Sequence, residues 1–151
     1  FFANGPRGYT KAYVFEPHWG LFLVYSTLSS MLDNVEYTRN SPQCGSNTYA
    51  FVYPRGPLAK NSRGQFVFHL CSVYFQSDEG EKIETLTHEG SHHATAYTDD
   101  VCADPVPRGQ CRVTAYGRPV CQEVARRFPS RAIENADNFC YYINDINTMN
   151  P

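Results

Sequence analysis

Thr87-His88-Glu89-Gly90-Ser91-His92-His93 decides the reading of this 151-residue chain, because it contains the pattern H-E-x-x-H. On a helix of 3.6 residues per turn, His88 and His92 stack one turn apart on one face, where two neutral imidazole nitrogens can meet one Zn²⁺. Glu89 leans to one side of that pair, within reach of a water held by the metal, without being a ligand itself. That is the position a general base needs. The same residue types fall at this spacing by chance on solvated surface helices, so the surrounding sequence has to support the pattern.

It does so in three ways. Asp78 and Glu81 form a D-x-x-E capping box that predicts a helix start upstream. Ile83, Leu86 and Gly90 project along one side of that helix, nearly opposite His88 and His92, giving it a stripe to bury and a separate polar stripe. Gly90 costs a helix about 1 kcal/mol against Ala, and its expected use is close approach of another backbone. His93 falls on the Leu86 side and reads as a neighbouring residue that is either structural or supports a ligand from behind.

Working outward, a second apolar helical pattern covers His18 to Val35, with Asp33-Asn34 suiting its end, after an irregular, aromatic-rich arm over residues 1–17. An isolated His18 ahead of that helix is read as structural. Thr48–Tyr53 and Gln65–Phe75 are rich in β-formers and flank the turn-rich stretch Pro54–Gly64, so they predict a hairpin or neighbouring strands just before the histidine helix. An exposed edge there would pair with an extended peptide. His69 alternates within the second run and reads as a packed face residue. After the histidine helix, Val101–Val113 looks like an inserted loop. Two helical segments then close the chain. Val120, Val124 and Phe128 recur in the first, which Pro129 stops. The second is expected to start at Ser130 and to bury Ile133, Ala136, Cys140 and Ile143.

The length suits one domain over residues 1–151. A formal charge of -2 gives no electrostatic footprint for nucleic acid or an anionic membrane. No apolar run is long enough to span a bilayer, and the first residues are not a signal peptide, so a mature, processed, monomeric chain is expected. Six cysteines with no C-x-x-C pair, together with 11 Tyr and 10 Phe against three Lys, favour a secreted protein with disulfides. Cys102 with Cys111, Cys44 with Cys71, and Cys121 with Cys140 is the preferred pairing among fifteen. There is no N-x-S/T sequon.

A catalytic zinc site needs a third protein ligand beside the two histidines, and no histidine follows His93. The candidates are Asp99, Asp100 and Asp104. Here the sequence resembles the aspzincin metallopeptidases, the deuterolysins and peptidyl-lysine metalloendopeptidases, which pair H-E-x-x-H with a following G-T-x-D-x-x-Y-G. His88, Glu89 and His92 match the first motif. Thr98-Asp99-Asp100 fits T-x-D, and Tyr116-Gly117 fits Y-G. Thr48–Tyr53 with Phe68–Phe75 resembles the family's strand pair, and Asn135-Ala136-Asp137 its last helix, so the likeness runs over about residues 44–146.

Two departures stand out: Tyr97 replaces the family's Gly, and fifteen residues instead of two separate Asp100 from Tyr116. A Cys102–Cys111 bridge would pinch the extra loop at its base; without it, Asp99 or Asp104 becomes the ligand. The resemblance implies a single zincin-like α+β domain, mainly helical, disulfide-stapled, with a small antiparallel sheet beside the zinc helix. It implies one Zn²⁺ on His88, His92 and Asp100, Glu89 as base, Tyr116 as an oxyanion donor, and a peptide or protein substrate. The competing expectations are a secreted zinc-binding protein or surface antigen without catalysis, and an effector protease with one narrow target.

Overall fold

A computed structural model describes Leu28 and residues 30–93, 98–107 and 109–149. The arm over residues 1–17, His18 and most of the first expected helix lie outside them. The described chain forms two compact units, one ending at His93 and one beginning at Thr98. It is a small α+β structure of helices and one three-stranded sheet, with two disulfides. Among the described residues no helix is long and apolar enough to cross a membrane.

In the first unit, helical residues 30–32 end at a turn over residues 33–34, where Asp33-Asn34 suited a stop. The sheet follows in the order β1 (Val35–Arg39), β3 (Phe66–Leu70), β2 (Ala50–Val52). β2 and β3 pair antiparallel, as neighbouring strands were expected to. β1 lies on the far side of β3 and runs parallel to it, with Tyr37 opposite Phe68, so the sheet is mixed. Val35-Glu36-Tyr37-Thr38 does alternate apolar or aromatic with polar residues, with Val, Tyr and Thr as β-formers, and that was the available sign of β1. The connection from β2 to β3 is held by Asn61. Its Oδ1 accepts from the amides of Arg63 and Gln65 at 2.9 and 3.0 Å, while its Nδ2 donates to Glu36 on β1 at 2.9 Å.

Strand pleating sends Phe68 and Leu70 into the core and Val67 and His69 to the other face. There His69 Nδ1 lies 2.8 Å from Thr38 Oγ1, and its ring stacks on Phe51 at 4.5 Å with Tyr53 edge-on. Cys71 ends the strand, bonded to Cys44 as expected. The β-rich run does not continue to Phe75 as a strand: Ser72–Gln76 is a short helix, α1. Then comes α2, Glu79–Ser91, whose N-cap Asp78 accepts from the Glu81 amide at 2.9 Å, the first half of the expected box.

In the second unit, residues 101–103 and 113–115 pair antiparallel, and the helices α3 (Arg118–Arg127), α4 (Pro129–Glu134) and α5 (Ala136–Met149) follow. Val124, Ala125, Ala132 and Ala115 make the core, with Val120 packed on it. The last expected helix is broken. Asn135 adopts an extended conformation (φ -88°, ψ 125°), and its backbone pairs with Asp99 like a one-residue strand. A break shifts the helical phase, so Ala132 is buried and Ile133 is exposed, contrary to the unbroken pattern. α3 stops at Arg127, with Phe128 out of helical geometry ahead of Pro129 as expected, and Pro129 then opens α4, where its missing N–H costs no bond. The expected third disulfide does not form. Cys121 and Cys140 are buried thiols, with Cys121 Sγ turned to the Ala115 carbonyl and Cys140 Sγ to that of Asp137, both at 3.3 Å.

Candidate metal centre

α2 carries His88, Glu89 and, at its C-cap, His92. The cap keeps right-handed helical angles (φ -67°, ψ -23°), so the one-turn spacing from His88 persists past the last regular hydrogen bond. The two Nε2 atoms lie 3.1 Å apart with ring planes 85° to one another. Two nitrogens on a tetrahedral zinc at about 2.05 Å stand about 3.3 Å apart, so the pair fits the edge of such a site with almost no movement. Glu89 is buried, 7% exposed, between two half-buried histidines.

The other face of the helix explains its fixed position. A Cβ added to Gly90 would come within 2.6 Å of Leu28 Cδ1 and 3.0 Å of Met31 Cε. The close approach expected at Gly90 is therefore made by side chains, not by backbone. Leu86 is half-buried on this side, whereas Ile83, one turn earlier, is exposed. His93 is fully buried against Phe66 (4.7 Å) and Phe68 (5.8 Å), which favours the first of its two readings, a structural residue. Burial lowers its pKa, opposed by the Pro54 backbone and reinforced by His92 and Lys60, so the ring packs in its neutral form.

Asp100 and Tyr116 belong to the second unit and are both exposed. The insertion between them is closed by the Cys102–Cys111 disulfide (Cα atoms 5.5 Å apart) and by two backbone hydrogen bonds, Ala103 N to Val113 O at 2.9 Å and Ala115 N to Val101 O at 2.8 Å. Cys102 faces Thr114 in this ladder, and the Val101–Ala115 pair is its outer end. The fifteen-residue excursion thus begins and ends at adjacent places. Gly117 follows in the left-handed region (φ 78°), where a side chain would be strained, and caps α3.

The two other candidate carboxylates have their own uses. Asp99 Oδ1 accepts from the Asp100 amide at 2.9 Å. Asp104, outside the base of the loop, pairs with Arg127 at 3.4 Å.

Residues 24–144 match the aspzincin family model, described as lysine-specific metallo-endopeptidase. A peptidyl-Lys metalloendopeptidase of Armillaria mellea is 31% identical over 127 residues, which cover 79% of this chain. The chain spans about 30% of the length of that curated relative. A solved zinc peptidase from Grifola frondosa superposes with a TM-score of 0.64 over 97% of this chain and 80% of its own, at 24% identity, and so shares the fold.

Proposed function

The chain belongs to the aspzincin family of metallo-endopeptidases, and from that premise we propose that it is a secreted, monomeric, zinc-dependent endopeptidase. Membership in a metallopeptidase family implies a metal and a peptide substrate. The observation that carries the finer reading is the His88–His92 pair at chelating distance with Glu89 on the same turn of helix. His88, His92 and Asp100 are the proposed ligands of one zinc ion. Asp100 is preferred because Thr98-Asp99-Asp100 fits the family's T-x-D, in which that Asp is the ligand.

Zinc held there would supply Lewis acidity, making a water more acidic and polarising a peptide carbonyl. Glu89 takes that water's proton and returns it to the leaving amine. Its burial keeps the carboxylate out of competing solvent. Tyr116 donates a hydrogen bond to the oxygen that gains charge during attack. β2 lies at an edge of the sheet, where an extended substrate can add as a further strand. The family description and the name of the Armillaria relative carry lysine, which we extend to this chain as its preferred residue beside the cleaved bond.

The test is a paired measurement of zinc content and casein cleavage for the parent and Glu89→Gln. One zinc in both, with cleavage in the parent and a loss of about 10²- to 10⁴-fold in the variant, supports the proposal. Zinc in both with equal or no cleavage would favour a zinc-binding protein without catalysis and sink it.

A further inference from the structure

We infer that the chain is built to spare itself from its own activity: arginine carries the positive charge of its exposed loops, and Lys60 and Lys82 are held in hydrogen-bonded backbone. The inference rests on the lysine preference in the proposed function, and turns it from other proteins onto the chain itself.

The sequence has ten arginines and three lysines, although lysine ranks among the commonest residues of globular proteins. Where the described backbone leaves helix and strand, the exposed arginines and lysines are Arg55, Arg63 and Arg112, besides Lys60. Exposed loops are where peptidases nick native proteins. Arginine supplies the same charge there on a planar fork, which a site that reads a compact ammonium does not take as its equivalent.

Lys60 is the exposed lysine among the described residues, and both peptide bonds beside it are engaged. The Ala59 carbonyl accepts from the Val67 amide at 3.2 Å, and the Asn61 amide donates to the Gln65 carbonyl at 2.9 Å, so Lys60 bridges to Phe66 as in an antiparallel ladder. Its Nζ stands 4.3 Å from the centre of the Phe66 ring, a cation–π contact that occupies the ammonium as well. Lys82 is half-buried in α2. The peptide bond before it is held at both ends: the Glu81 carbonyl accepts from Thr85 Oγ1 at 2.8 Å, and the Lys82 amide donates to the Asp78 carbonyl at 3.1 Å. Lys11 lies outside the described residues.

Hydrolysis adds the hydroxyl of water to a peptide carbonyl and a proton to the departing amine. The segment must first leave its own hydrogen bonds and extend, so that its backbone can pair with a peptidase instead. At Lys60 and Lys82 this requires local opening, and cleavage then follows the small open population. At Arg55, Arg63 and Arg112 the segment is exposed and the side chain is the wrong one.

The test uses Glu89→Gln, which on the proposed function does not cut itself, as substrate and the parent as enzyme, with cuts located by mass spectrometry. Trypsin accepts arginine and lysine alike and should nick this substrate at one or more of Arg55, Arg63 and Arg112 before Lys60 or Lys82. The parent should leave it whole while cutting casein beside lysine. Arg55→Lys, Arg63→Lys and Arg112→Lys are then added to the substrate, each retained only where the melting temperature equals that of Glu89→Gln, so that a loosened fold does not produce the cuts. The parent should now cut at the new lysines that match the tryptic nicks, about 10-fold or more faster than at Lys60.

A tryptic pattern that spares all three arginines overturns the inference, since the fold alone then closes the loops. New lysines left uncut at tryptic sites overturn it too, as does cleavage of Glu89→Gln at Lys60 or Lys82 as fast as that of casein. Casein cut away from lysine, or left whole, removes the lysine preference and the inference with it, whereas the other outcomes remove the inference and leave the preference standing.

Discussion

His88 Nε2 and His92 Nε2 stand 3.1 Å apart, a separation set by one turn of helix and close to the edge of a zinc tetrahedron. Because the folded chain presents both nitrogens together and the unfolded chain does not, zinc binding adds to stability by mass action, about 2.7 kcal/mol at a hundredfold excess over Kd. The parent's melting temperature should rise with added zinc and fall on chelation. His92→Ala should melt at one temperature regardless of zinc. An equal zinc response in the variant would remove His92 from the ligand set.

Acid should act through His69. Burial holds its pKa below the ordinary 6.5, so the folded state resists the proton that the unfolded state accepts. Its contribution to stability is full above 6.5 and declines as pH falls from there toward the lower folded-state value. Ring resonances of His69 should titrate below 6.5. The stability difference between the parent and His69→Gln should narrow across that window, and a ring titrating above 6.5 contradicts this.

Thiol chemistry separates two disulfides from three. Burial, with Asp137 and Cys140 adding negative charge nearby, raises the Cys121 pKa far above the ordinary range, so its reactive thiolate is suppressed. A disulfide-exchanging reagent should find no reactive thiol in the native protein and two after denaturation without reductant. None after denaturation would establish a Cys121–Cys140 bridge.

Removing the loop's staple should be measurable by itself. Cys102→Ser with Cys111→Ser opens a loop closed over a separation of nine residues, worth about 2.5 to 3 kcal/mol by chain entropy. The urea midpoint should drop accordingly. A change below about 0.5 kcal/mol would mean that the short ladder alone closes the loop.

At Gly90 two effects oppose each other. Alanine gains about 1 kcal/mol of helix propensity, while its Cβ pushes on the far ends of Leu28 and Met31, which can turn aside at about the same cost. Gly90→Ala should therefore stay within about 1 kcal/mol of the parent. Gly90→Val, with two further methyl groups in the same space, should lose about 2 kcal/mol or more in denaturant unfolding.

The histidine helix was legible in the sequence because its cap, its spacing and its motif all act within one stretch of chain. Asp78 and Glu81 mark its start, and His88 to His92 needs only helical geometry. β2 and β3 were legible for the same reason, as local runs of β-formers. β1 was not, since Val35–Arg39 is short and its parallel partner lies about thirty residues away. The break at Asn135 was also hidden. No proline or glycine marks it, and what holds it open is pairing with Asp99, a contact set by tertiary structure. That hidden break explains Ile133, misread as core, and lets the buried side-chain amide of Asn135 bond to the Val101 amide and the Ala115 carbonyl, which only the folded chain displays.

The paired segments 101–103 and 113–115 separate the tip of the inserted loop from its base. Register there is fixed by Val101, Ala103, Val113 and Ala115, none of which lies in the tip. Chain length between Asp104 and Gln110 is therefore free to vary, at a cost that grows only logarithmically with added residues. That stretch is a natural port for a reporter peptide or for lineage-specific sequence, because what is spliced in there need not disturb the residues on either side.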